Sequence, residues 1–281
     1  MQDTLNLALD LAEALHYSGA PAWRVERAVN TLGQRLGTPL ICFSVPTGIQ
    51  ISDGHRVGLR RSNGADIDLA AQHDLERAIH SVDPSSALRT CLAQLQGRRP
   101  LSALSTIFGY TAVSAGGAVL LGGGATTALA GTLGGLVTGI AVTLSQGKAP
   151  GLASVIPLVC SFLAALLATG VGQLLPLDTP LAIIAAIIIL LPGLTLTIGV
   201  GEVAAGHLSA GAARLTGALV HFLLLGLGIA AGSGMLPESP TGIEPSAILS
   251  PTAAMLVVAA GLVVLFRARV HQIPWMLLGV A

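Results

Sequence analysis

Residues Leu152–Leu174 read LASVIPLVCSFLAALLATGVGQL, 23 residues with no acidic or basic side chain. An α-helix rises about 1.5 Å per residue and a hydrocarbon core is about 30 Å thick, so about twenty apolar residues cross it. The stretch reads as a membrane span. Five more flank it, Leu101–Leu121, Thr126–Leu144, Pro180–Val200, Leu215–Met235 and Leu249–Phe266, divided by short Gly-, Pro- or charge-bearing breaks. The fold class that follows is a polytopic α-helical membrane protein with a soluble N-terminal α+β domain. Six spans exceed what an anchor needs, which points to movement of a solute.

Composition agrees with that class. Of 281 residues 52% are hydrophobic and 10% charged, with a mean hydropathy of +0.77; a soluble domain of this size needs more polar surface. Ten of the 14 basic and ten of the 14 acidic residues precede Pro100. The chain is therefore expected to divide into a head, residues 1–99, a five-span body, 100–236, and the start of a second membrane half, 237–281. The formal net charge is zero and no basic tract carries interleaved aromatics, so nucleic acid is not an expected partner. Cys42, Cys91 and Cys160 are odd in number and widely spaced, suggesting neither a disulfide framework nor a zinc site. The first segment is amphipathic rather than continuously apolar, so no cleavable signal peptide is expected and the head stays in the cytoplasm.

Within the head, Leu5, Ala8, Ala12 and Leu15 recur at helical spacing up to Ser18-Gly19. Pro21 is expected at the first position of a second helix that Gly37 ends. Leu40–Val45, Gly48–Ile51 and Arg56–Arg61 read as strands, with Asp53-Gly54 as the hairpin turn before the third. Asp68 and Asp83-Pro84 open two more helices. His16, His55, His73 and His80 show no metal-ligand spacing. Ser44, Ser52, Ser85 and Cys91 lack a nucleophile elbow and a recognisable base. No phosphate-binding Gly-Lys-Ser/Thr loop exists, so neither ATP nor another cofactor is expected, and an enzyme is not.

Orientation follows from the basic residues. Arg98 and Arg99 precede the first span, Lys148 follows the second, Arg214 precedes the fifth, and Arg267 and Arg269 follow the sixth. With the head inside, all lie on the cytoplasmic face, while Asp178, Glu238 and Glu244 lie opposite. The rows Gly131-x-x-x-Gly135-x-x-x-Gly139 and Gly228-x-x-x-Gly232 suit close helix packing, either within the chain or at the seam of a homo-oligomer. In the fourth span Leu191-Pro192-Gly193-Leu194-Thr195-Leu196-Thr197 sets a helix breaker before two hydroxyls. Freed backbone groups at bilayer depth are where transporters hold substrates, so Pro192, Gly193, Thr195 and Thr197 are the candidate translocation site, against the alternative of a plain kink. Glu202 and His221 are candidate proton carriers, against the alternatives of a solvated carboxylate and a buried hydrogen-bonded imidazole.

These residues resemble the threonine/serine exporter family. The similarity runs through Ser18-Gly19-Ala20-Pro21-Ala22-Trp23-Arg24-Val25-Glu26, Pro46-Thr47-Gly48-Ile49-Gln50-Ile51-Ser52 and Gly64-Ala65-Asp66-Ile67-Asp68-Leu69 in the head. In the body it runs through Leu191–Thr197, Gly201-Glu202 and Leu208–Leu215. The resemblance implies export of threonine and serine across the plasma (inner) membrane, driven by the proton motive force, with the head cytoplasmic. Ile198 and Gly201-Glu202 stand where many bacterial members carry Asn and an Arg-Asp pair, and similar split versions are associated with dicarboxylate export. The expected partner is thus a small amino acid or another carboxylate-bearing solute, beside the bilayer itself. Fused members have about ten spans, whereas Ile273-Pro274-Trp275 opens a seventh apolar stretch that stops at Ala281, so a further C-terminal half or a partner membrane subunit is expected. A hydrolase built on the head, and a head that senses a cytoplasmic solute, are the alternatives.

Overall fold

A computed structural model describes residues 2–62, 67–98, 100–146, 150–237 and 244–269. Arg99, Lys148, Glu238, the Gly64-Ala65-Asp66 part of the third head motif and the stretch from Ile273 lie outside the described residues. The chain falls into two compact units: Met1–Pro100 with Gly193–Ala218, and Leu101–Pro192 with Leu219–Ala281.

The first unit holds α1 (Gln2–Tyr17), α2 (Ala22–Arg35), strands β1 (Ile41–Val45), β2 (Gly48–Ser52) and β3 (Val57–Arg61), α3 (Leu69–Ile79) and α4 (Pro84–Gln96). The strands form an antiparallel meander in the order β1-β2-β3, with Phe43 opposite Gln50 and Gln50 opposite Leu59. One sheet face carries Ile49 and Ile51 into the core with Leu11, Leu15, Val25, Leu32, Leu75, Ile79 and Leu88. Each such side chain contributes about 1.5–3 kcal/mol by leaving water. The other face leaves Ile41, Phe43, Val57 and Leu59 exposed.

The local signals act as read. Asp68 accepts from the Ala71 amide at 2.8 Å and Asp83 from those of Ser85 and Ser86, satisfying first-turn donors of α3 and α4. Gly54, at φ +86°, makes the β2–β3 turn, and both Asp53-supported amides there, His55 and Arg56, donate to one carboxylate oxygen. Pro21 sits one position earlier than expected: it caps α2 in extended conformation (φ −67°, ψ 154°), and the helix begins at Ala22. That leaves the Ala22 amide needing an acceptor from elsewhere.

The second unit contains α5 (Ala103–Leu120), α6 (Ala125–Ser145), α7 (Pro150–Gly172), α8 (Thr179–Ile187) and α11 (Pro251–Leu265). A 3₁₀ turn over Ile188–Leu190 follows α8, then α9 (Gly193–Ala204) and α10 (Leu208–Ser233). Among the described residues four helices are long and apolar enough to span a membrane, α5, α6, α7 over Ser154–Gly172 and α10; the interrupted pair α8 and α9 makes a fifth if counted as one. Six were expected. The difference lies in α11, whose 15 residues rise only about 22 Å. Ser250 caps its start through the Ala253 amide. A left-handed Arg267 (φ 49°) ends it, with Arg267 and Ala268 amides returning to the Val264 and Val263 carbonyls.

Glycine decides how these helices meet. A Cβ on Gly135 would stand 2.4 Å from Ser114 Cβ, and one on Gly139 3.0 Å from Ile107 Cα, so the α6 row lies against α5. A Cβ on Gly228 would stand 2.3 Å from the Leu158 carbonyl, and one on Gly232 2.5 Å from that of Phe162, so the α10 row lies against α7. Both rows are filled by the same chain. At the N-terminus of α6 the Glu244 carboxylate accepts from the Thr127 amide (2.5 Å) and from the hydroxyls of Thr126 and Thr127 (3.0 Å each). Two of the three acidic residues expected on one face thus gather there, since the Asp178 amide donates to Thr127 Oγ1 at 2.8 Å.

Candidate functional site

The break in the fourth apolar stretch is backbone chemistry. Proline lacks an N–H and disfavours helical conformation in the residue before it. Leu191 accordingly turns extended (ψ 125°) after the 3₁₀ turn, and the helix restarts only at Gly193. In a continuous helix the Leu190 carbonyl would accept from residue 194. Here it accepts from the imidazole of His221 on α10. The other ring nitrogen, Nε2, is buried without a partner, so the bond runs through Nδ1–H and Nε2 keeps an unshared lone pair. The structure thus joins the helix break to a titratable ring 29 positions beyond Pro192 in sequence.

Thr197 spends its hydroxyl on its own helix, bonding the Gly193 carbonyl at 3.0 Å. Thr195 is half-buried, and Gly193 is exposed with no atom within 4 Å of where a Cβ would stand. Helical spacing puts Thr195 and Glu202 on one face of α9, two turns apart.

Glu202 has a different setting from the solvated end of a span. α9 ends in a tight turn in which Gly206 (φ +87°) and His207 return their amides to Val203 and Glu202. α10 therefore begins at Leu208, well before the expected Leu215. Its first turns press against α9, where a Cβ on Gly211 would meet the Gly199 carbonyl at 2.7 Å. Arg214, expected as a flanking charge ahead of the span, lies inside α10. Its Nε bonds both Glu202 oxygens at 3.1 and 3.0 Å. Glu202 is 0% exposed, and its Oε1 also accepts the Ala22 amide at 2.8 Å. A carboxylate at a helix N-terminus meets the positive end of the helix dipole, so the amide left over at Pro21-Ala22 finds its acceptor here.

Around this ion pair lies a wider polar cluster in the same unit. His16 Nε2 bonds the Pro46 carbonyl at 3.0 Å, while its Nδ1 is buried without a partner. Burial pushes the His16 imidazole below its ordinary 6.5; the Pro46 carbonyl opposes this, Arg214 adds to it and Glu202 counters. Glu26 accepts the Ser44 amide at 3.1 Å and faces His207 Nδ1 at 3.5 Å. Two signals for this cluster were legible and unused. Glu202 and Arg214 are lone opposite charges 12 residues apart in a nearly uncharged region, and the Ser18–Glu26 motif opens a helix whose amides need acceptors. Among the described residues no three His, Cys, Asp or Glu side chains are placed to hold a metal ion.

Comparison with known proteins finds a matching family. The model of a family described as "Putative threonine/serine exporter" covers residues 6–236. No curated protein matches, and no solved structure does.

Proposed function

The chain belongs to the threonine/serine exporter family, a family of transporters rather than enzymes, and we propose that it exports threonine and serine from the cytoplasm at the expense of the proton motive force. The observation that carries this reading is the interrupted fourth stretch, whose freed Leu190 carbonyl holds His221 with Nε2 open. A neutral imidazole with a free lone pair takes up a proton at Nε2 and gives it back without disturbing the Nδ1 bond. Substrate meets the polar groups at Pro192, Gly193, Thr195 and Thr197, and the proton passes through His221. Glu202 holds Arg214 and the N-terminus of α2 together beside that path. The head faces the cytoplasm, a reading supported by Arg98, Arg267 and Arg269, with Arg214 now set aside because it is spent on Glu202.

Counterflow of labelled threonine in proteoliposomes at two pH values tests the proposal. Threonine-dependent uptake that changes with pH, and loses its pH dependence in His221→Gln, is the expected result. Correctly inserted protein that moves no threonine or serine sinks it, and uptake of succinate instead would favour a dicarboxylate as the solute.

A further inference from the structure

We infer that an open groove along the solvent face of α2 binds the zwitterion of a small polar α-amino acid, at residues separate from the break and from His221. Trp23, Arg27, Asn30 and Gln34 recur along one stripe of α2 and line a space of about 780 Å³, closed on the other side by Gly201, Ala205 and His207. All of these residues belong to the first compact unit.

A zwitterion needs a cation and an anion a few ångströms apart, and Arg27 and Glu26 are consecutive. The Arg27 guanidinium lies over the Trp23 ring, 5.3 Å from its centroid. That cation–π contact holds the guanidinium at the ring and leaves its N–H donors for a carboxylate. Arg27 makes no ion pair among the described residues. Glu26 is anchored by the Ser44 amide on Oε1, while Oε2 has only His207 at 3.5 Å and retains room for an ammonium. Thr31 has turned its hydroxyl back to the Arg27 carbonyl, so the Asn30 and Gln34 amides are the groups left for a ligand hydroxyl. A dicarboxylate would set its second charge against Glu26, and an uncharged solute would leave both charges unused. The choice of a hydroxy amino acid among zwitterions rests on the proposed function.

The floor of the groove supplies a clean probe. A Cβ on Gly201 would meet no atom within 4 Å, so Gly201→Leu fills the space without strain, and leucine favours a helix over glycine. The experiment is calorimetric titration of the full chain in detergent micelles with L-threonine. Saturable binding is expected, with a groove-dependent component that is weakened about tenfold or more in Arg27→Gln by loss of a charge-assisted bond and is missing in Gly201→Leu, whereas binding at the break is unaltered by either change. Threoninol, without a carboxylate, and N-acetylthreonine, without an ammonium, should fail to compete. Threonine affinity unchanged in both variants, or competition by either analogue, overturns the inference. If the chain transports threonine yet both variants bind it normally, the groove assignment falls and export stands. If groove-dependent binding occurs without any transport, the groove stands and export falls.

Discussion

Glu202 is the residue on which most of the first unit's polar geometry converges, because one buried carboxylate satisfies both a guanidinium and a helix amide. Removing one partner of such a pair leaves the other buried and uncompensated, which costs about 3–5 kcal/mol when fully buried. Arg214 keeps 17% side-chain exposure, so Glu202→Gln should cost somewhat less, about 2–4 kcal/mol. Thermal unfolding in micelles measures it. A midpoint equal to wild type would show that the ion pair contributes nothing net. His16 adds a pH dependence of known sign. Its folded-state proton affinity lies below the ordinary 6.5, so below that pH the unfolded chain takes up a proton that the folded chain resists. Stability should be flat above about pH 7 and fall as the pH drops through 6.5 toward the folded value. His16→Gln should shrink that loss in denaturant titrations at pH 7.5 and 5.5; an unchanged slope would assign the effect to other groups.

At the scale of elements, helices in the second unit approach through missing side chains rather than through a water-driven core. In lipid, dispersion across a close seam supplies most of the association energy. A Cβ on Gly135 would collide with Ser114 Cβ at 2.4 Å and the Tyr110 carbonyl at 3.0 Å, whereas one on Gly226 meets nothing within 4 Å. Gly135→Ala should therefore destabilise by about 1–3 kcal/mol through overpacking. Gly226→Ala should be neutral or stabilise by up to about 1 kcal/mol through helix propensity. Parallel melts of the two variants decide it, and equal effects would remove the close α5–α6 seam. Much of this element scale was legible: the glycine spacing announced close packing, and Asp68 and Asp83 announced their helices. Which helix fills each row was not legible, because a Gly-x-x-x-Gly pattern describes one surface and carries no information about its mate.

At the scale of the whole molecule, the proposed cytoplasmic head makes a labelling prediction. Val82 is fully exposed in the head. Background from native thiols is low, since Cys91 and Cys160 are buried and burial, reinforced by Glu26, pushes the Cys42 thiol up to about 12, leaving little reactive thiolate. A membrane-impermeant maleimide should label Val82→Cys in inverted vesicles and not in intact cells. Labelling of intact cells would place the head outside and reverse the direction of transport proposed here.

The sequence by itself determined what depends on short-range physics. Apolar length set the membrane class, caps and turn residues set the head's elements, and Pro192 set the break, because proline acts on its immediate neighbours. Only the tertiary structure decided what depends on where distant segments meet. It moved Arg214 from a flanking charge into an ion pair with Glu202, gave that carboxylate the amide of Ala22 as a second donor, and brought His221 to the Leu190 carbonyl. A charge or an imidazole has the same letter whether solvated or buried. Its chemistry is assigned by the donor or acceptor that folding places within about 3 Å.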